Sequence, residues 1–124
     1  MTARSEAGTV SEMLGIARFT FHEGTVEEFK RLSRQCMEIV RTRDTGTLQY
    51  DIYFNEDESE AIVIERYADS DALVQHVAHI GDGLMQAIMT TASVHGETLG
   101  EPSAELRAQL DGSPVRLFTP FLFM

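Results

Sequence analysis

The 124-residue chain carries 43% hydrophobic and 24% charged side chains, a balance that excludes a disordered segment and fits one globular domain whose core needs no disulfide or metal staple. Ten basic against twenty acidic residues leave a net charge of −10, which repels phosphate backbones and anionic lipid and argues against nucleic-acid and membrane-surface partners. The single Cys36 cannot build an internal disulfide framework and points to a reducing, cytoplasmic setting, and no apolar run reaches the roughly 18–20 residues of a membrane span.

Residues 1–12 are mostly small and polar, with no apolar stretch of a secretory signal, and read as a flexible leader. From Met13 to Phe21, Ala17, Phe19 and Phe21 alternate as in a strand, and His22-Glu23-Gly24 ends it. Thr25 and Glu28 have capping-box spacing, and Phe29, Leu32, Cys36 and Val40 then recur at helical spacing. Arg41 and Arg43 suit the negative end of that helix, and Asp44-Thr45-Gly46 reads as its exit, with Gly46 in a left-handed conformation. TLQYDIYF, a polar turn around Asn55 to Ser59, and EAIVIERY make an antiparallel hairpin.

Ser70 is expected to cap a second helix, whose apolar stripe is Leu73, Val77 and Ile80. Gly81-Asp82-Gly83 breaks or bends it before Leu84, Met85, Ile88 and Met89 resume. Ser93 to Leu99 form a fourth strand, Ser103 caps a short piece with Leu106 and Leu110, and VRLFTPFLFM ends the chain as an apolar extended segment. Pro120 confines that tail to a sheet edge or bulge. The order is βαββαβ, an α+β, ferredoxin-like arrangement with an antiparallel sheet. Residues 13–100 form this domain, and 101–124 are a C-terminal helix-strand extension packed on the same domain or on its dimer partner. Ala61-Ile62-Val63-Ile64 is apolar at both parities. A second buried face follows, which a lone domain supplies by pairing with another copy of itself.

Glu65-Arg66-Tyr67-Ala68-Asp69-Ser70-Asp71-Ala72-Leu73-Val74-Gln75-His76, with the preceding hairpin and EEFKRL in the first helix, resembles the antibiotic biosynthesis monooxygenase family of the dimeric α+β barrel superfamily. The likeness runs from about Leu14 to Leu99 and implies two ferredoxin-like sheets packed face to face in a homodimer. It also implies a small aromatic ligand, since members include quinol monooxygenases that use neither flavin nor metal, and so no cofactor is expected. Haem-degrading members share an Asn, Trp and His set; this chain has no Trp, and its one Asn, Asn55, lies in a turn. Where Tyr67 stands, the family often has Trp, so the aromatic ring is kept and a hydroxyl added.

Oxygenation without a cofactor requires a base for the phenol proton and a dry pocket. His76, at the border of the second helix's apolar stripe, is the candidate base; its alternative is a half-buried imidazole satisfied by a backbone carbonyl. Tyr67 is the second catalytic candidate. Tyr50, Arg66, Met85, Met89 and His95 are candidates for substrate binding: tyrosine hydroxyls as donors, Arg66 for an anionic group, the methionines as an adaptable wall and His95 from the fourth strand. Tyr53 shares the donor chemistry, though buried tyrosines commonly bond backbone instead. His79 lies three residues from His76 but no further ligand completes a metal motif, so no metal is expected and a solvated helix face is the simpler reading. His22 reads as a turn residue, and Cys36, on the buried stripe, as packing. Neither a phosphate-binding Gly-rich loop nor a serine nucleophile elbow is present.

Two functions follow. One is a cofactor-independent monooxygenase acting on a phenol or quinol; the other is a non-catalytic small-molecule-binding or structural dimer of the same fold. They differ in whether His76 and a tyrosine share a cavity of roughly 300 Å³ or more.

Overall fold

The computed structural model describes residues 11–124. The expected leader, 1–12, therefore lies outside the described residues except for Ser11 and Glu12. Strands β1 (Met13–Phe21), β2 (Thr47–Phe54), β3 (Glu60–Tyr67) and β4 (Ala92–Leu99) and helices α1 (Val26–Arg43) and α2 (Ser70–Met89) follow the expected βαββαβ order. Helix α3 (Ala104–Asp111) and the short strand β5 (Arg116–Phe118) complete the chain. The sheet runs β2-β3-β1-β4-β5; its first four strands are antiparallel, and β5 joins β4 in parallel at the edge. Of the apolar tail, only Arg116–Phe118 pairs with the sheet, while Phe121 and Leu122 beyond it are exposed.

Strand alternation sorts the sheet into two faces. Phe19, Ala61, Val63 and Ala92 meet Phe29, Leu32 and Cys36 of α1 and Ile80 and Ile88 of α2 in the main core. Phe29 closes it with rings of Phe19, Phe21 and Phe54 at centroid distances of 5.0, 4.7 and 6.0 Å, in the tilted and edge-on arrangements that aromatic quadrupoles favour. The opposite parity places Leu14, Ile16, Ile62 and Ile64 on the face without helices.

Four local devices differ from expectation. Thr25 does not cap α1 with its side chain; its hydroxyl lies 2.7 Å from the His22 carbonyl and 2.6 Å from the Thr91 carbonyl, fastening the β1 exit to the end of α2. Glu28, free of the capping box, pairs with Arg31. Helix α2 is capped by Asp69, whose carboxylate accepts the Ala72 N–H at 2.8 Å; Ser70 instead accepts the Ser103 N–H at 2.9 Å, tying the extension to α2. Gly46 is not left-handed, since among the described residues the positive-φ glycines are 24, 81 and 100. It is required for closeness: a Cβ there would lie 2.5 Å from the Ala72 Cβ. At Gly81, by contrast, φ of 80° and ψ of 157° produce the expected bend in α2.

Candidate functional site

Between the sheet and α2 lies a cavity of about 420 Å³. Leu73, His76, Val77, Ile80, Met85, Ile88 and Met89 of α2 form one wall, and Tyr50, Ile52, Val63 and Glu65 of the sheet form another. The far side is closed by Leu106, Gln109, Leu110, Ser113, Pro114 and Val115, all from the C-terminal extension. A mostly apolar hollow with a few convergent polar groups is the usual form of a small-molecule site.

His76 in the α2 wall is held by Asp44, which does not itself line the cavity. Helix α1 ends at Arg43, and Asp44 turns to an extended conformation (φ −74°, ψ 139°) while its N–H still bonds the Val40 carbonyl. Absence of a Cβ at Gly46 lets this connection press against the first turn of α2, and the Gly46 carbonyl accepts the Ala68 N–H at 2.9 Å. The Asp44 carboxylate thereby meets the face of α2 that carries His76 and His79. Its Oδ2 lies 2.7 Å from His76 Nδ1 and its Oδ1 lies 2.6 Å from His79 Nδ1, while the Thr47 hydroxyl donates to Oδ2 at 2.8 Å. Only 3% of the Asp44 side chain and 5% of that of His76 are exposed, so the group is shielded from water. Burial by itself raises the Asp44 carboxyl, but the bonds from His79, His76 and Thr47 outweigh it and hold the group below the ordinary carboxylate range. An ionised acceptor at Nδ1 fixes the imidazole proton there and leaves Nε2 of His76 as the nitrogen for a ligand.

The His76 ring sits between two tyrosines, with centroids 5.4 Å from Tyr50 and 5.3 Å from Tyr67. Tyr50 lines the cavity with His76, whereas Tyr67 is fully buried behind it and donates its hydroxyl to Glu65. Burial, reinforced by the Glu65 carboxylate, pushes both phenols above the ordinary tyrosine range, so they act as neutral donors. Burial likewise pushes the Cys36 thiol up to about 11, consistent with packing and not nucleophilic use.

The residues expected to form the site divide into two groups. His76, Tyr50, Met85 and Met89 line one cavity, and Tyr67 supports His76 from behind. Arg66 and His95 are not among the lining residues. Arg66 alternates to the face without helices and pairs with Glu12 at 3.2 Å, and His95 stands opposite Arg18 on that same face. His79 does not point to solvent: it shares Asp44 with His76. Among the described residues no cluster of three or more His, Cys, Asp or Glu has the arrangement of a metal site. Asp44, Thr47 and Glu65 were not singled out from the sequence.

Residues 14–81, more than half of the chain, match the family model described as antibiotic biosynthesis monooxygenase. The chain belongs to the antibiotic biosynthesis monooxygenase family. No curated protein matches it significantly. Among solved structures, MupZ from Pseudomonas fluorescens is similar over 92% of this chain and 88% of its own, at 23% identity and a TM-score of 0.79. Rv0793 from Mycobacterium tuberculosis covers 75% of this chain and 97% of its own at 23% identity and TM-score 0.64. SnoaB from Streptomyces nogalater, a cofactor-independent oxygenase, covers 76% of this chain and 96% of its own at 17% identity and TM-score 0.61. At these identities the likeness is one of fold. The family match ends at residue 81, so the part of the cavity wall contributed by α3 and the segment before β5 lies outside it.

Proposed function

We propose that this antibiotic biosynthesis monooxygenase family member is a cofactor-independent oxygenase of a small phenol or quinol, with His76 as the proton acceptor. The observation that carries this reading is the pairing of His76 with Asp44 at the wall of a largely apolar cavity. A phenol with an open ring position gives its hydroxyl proton to His76 Nε2, and the imidazolium so formed faces the Asp44 carboxylate. The phenolate then reduces O2: one oxygen atom becomes the second carbonyl of a quinone and the other leaves as water. In this reading Tyr50, which lines the cavity, donates a hydrogen bond to the substrate oxygen, and the apolar walls keep bulk water from the phenolate.

Pairing of two copies across the face bearing Leu14, Ile16, Ile62 and Ile64 completes the proposed assembly. Among the described residues no helix is long and apolar enough to cross a membrane.

Oxygen uptake with a panel of phenols and quinols tests the chemistry. Turnover above autoxidation is expected, falling about 10²-fold or more in His76→Gln, the scale of a lost general base. No turnover above autoxidation, or equal turnover in His76→Gln, refutes it. Ligand binding without turnover identifies instead a binding protein of the same fold.

A further inference from the structure

The cavity is completed by a segment beyond the family match, and that segment is fixed in place. Leu106 of α3 is 1% exposed and packs with Met13, Tyr67 and Ala72 in a second small core. The Ser103 N–H bonds Ser70 Oγ at 2.9 Å, the Gly100 N–H bonds the Phe118 carbonyl at 3.0 Å, and β5 pairs with β4. Val115, just before β5, reaches the helix-side face of the sheet at Gly96. A Cβ on Gly96 would lie 3.5 Å from Val115 Cγ2, so the bare glycine and the valine face each other at the cavity wall.

The charge of the lining is one-sided. Among the described residues no Lys or Arg lines the cavity. Glu65, on the helix-side parity with Val63 and Tyr67, presents a carboxylate at the polar end, where the Tyr67 hydroxyl already donates to it. Glu97, the other acid at the boundary, pairs with Ile16 on the opposite parity and turns its side chain to the other face. An anionic ligand group would thus enter a low-dielectric hollow with a carboxylate and no countercharge.

We propose that the α3–β5 extension is a specificity wall, and that with Glu65 it restricts the cavity to uncharged hydroxyaromatic ligands whose size is set by Leu110 and Val115. This rests on the proposed function for the hydroxyl group that meets His76, but it concerns binding and is read without turnover. His76, Tyr50 and Glu65 hold the polar end of the ligand, and Leu110, Pro114 and Val115 bound its apolar end. The residues that set the ligand's size then lie on a segment separate from those that act on it.

Isothermal titration of the intact protein with 2-naphthol and with 3-hydroxy-2-naphthoate tests charge, and comparison with phenol tests size. The neutral naphthol is expected to bind at least tenfold more tightly than its carboxylate analogue, and Glu65→Gln to narrow that ratio at least threefold. Val115→Trp is expected to weaken naphthol at least tenfold while changing phenol less than threefold. Leu110→Trp, on α3, should do the same, and thermal unfolding of each variant establishes that it is folded. Equal or tighter binding of the carboxylate, no binding of naphthol to the wild-type protein, or unchanged naphthol affinity in both folded Trp variants overturns the proposal. Selective binding without oxygen uptake refutes the oxygenase reading and leaves the wall in place; oxygen uptake with unselective binding does the reverse.

Discussion

Removal of the Asp44 carboxylate is the most informative perturbation, because three donors depend on it. His76 Nδ1 and Thr47 Oγ1 share Oδ2 at 2.7 and 2.8 Å, and His79 Nδ1 holds Oδ1 at 2.6 Å. In Asp44→Ala all three lose their acceptor at a site where the carboxylate is 3% exposed. Orphaning buried donors costs about 1–3 kcal/mol each. A total of about 3–5 kcal/mol is expected, since relaxation lets water reach part of the site. Asp44→Asn is milder. Its amide oxygen in the Oδ2 position still accepts from His76 and Thr47, while its NH2 group faces His79 and forces that ring to present a lone pair at Nδ1. About 1–2 kcal/mol is expected. The acid limb separates charge from shape. Because the Asp44 carboxyl is held below its ordinary range, its stabilisation is full above about pH 4 and is lost as pH falls through the lowered native value. The stability gap between wild type and Asp44→Asn must therefore narrow in acid. Urea unfolding at a series of pH values, with the slope checked for constancy, measures all of this. A loss below about 1 kcal/mol in Asp44→Ala at pH 7, or a gap to Asp44→Asn that does not narrow in acid, refutes the account of Asp44 as a buried ionised acceptor.

The Gly46 contact can be tested in the same way. A methyl at position 46 would lie 2.5 Å from the Ala72 Cβ, so Gly46→Ala is expected to lower stability by about 1–3 kcal/mol, and Ala72→Gly should recover part of it in a double-mutant cycle read by thermal unfolding. A single-variant loss with no coupling to Ala72 would show that the approach of the connection to α2 is not the cause. For the sheet face, light scattering at micromolar concentration should give a dimer for the wild-type protein and a monomer for Ile64→Arg. A wild-type monomer would remove the proposed pairing.

The fold was legible because its signals are periodic and local: the alternation in Met13 to Phe21 and in TLQYDIYF, and the helical recurrence of Phe29, Leu32 and Cys36, each lie within one element. Caps were less legible, since Asp69 and Ser70 are adjacent and both suit a helix start; the choice fell to Asp69 because Ser103 occupies the Ser70 hydroxyl. Of the candidate site, the cavity wall on α2 was legible, with His76 at the border of the first apolar stripe and Met85 and Met89 on the second, whereas the part assembled from distant chain was not. Asp44 is 32 residues from His76, and a turn acid beside Arg41 and Arg43 is unremarkable in a one-dimensional reading. One signal was nevertheless present. A carboxylate immediately after a helix C-terminus sits at the negative end of the dipole, where it is unfavourable by several tenths of a kcal/mol unless a partner compensates. Two histidines three residues apart on the next helix are the donors a buried acid of that kind needs. Gly46 had the same double meaning: a helix exit usually asks glycine for a left-handed φ, and here the demand is for the absence of a side chain against Ala72. An acid where the dipole disfavours it and a glycine where no turn requires it are both local costs. In this protein both are offset at one place, the contact that presents His76 to the cavity.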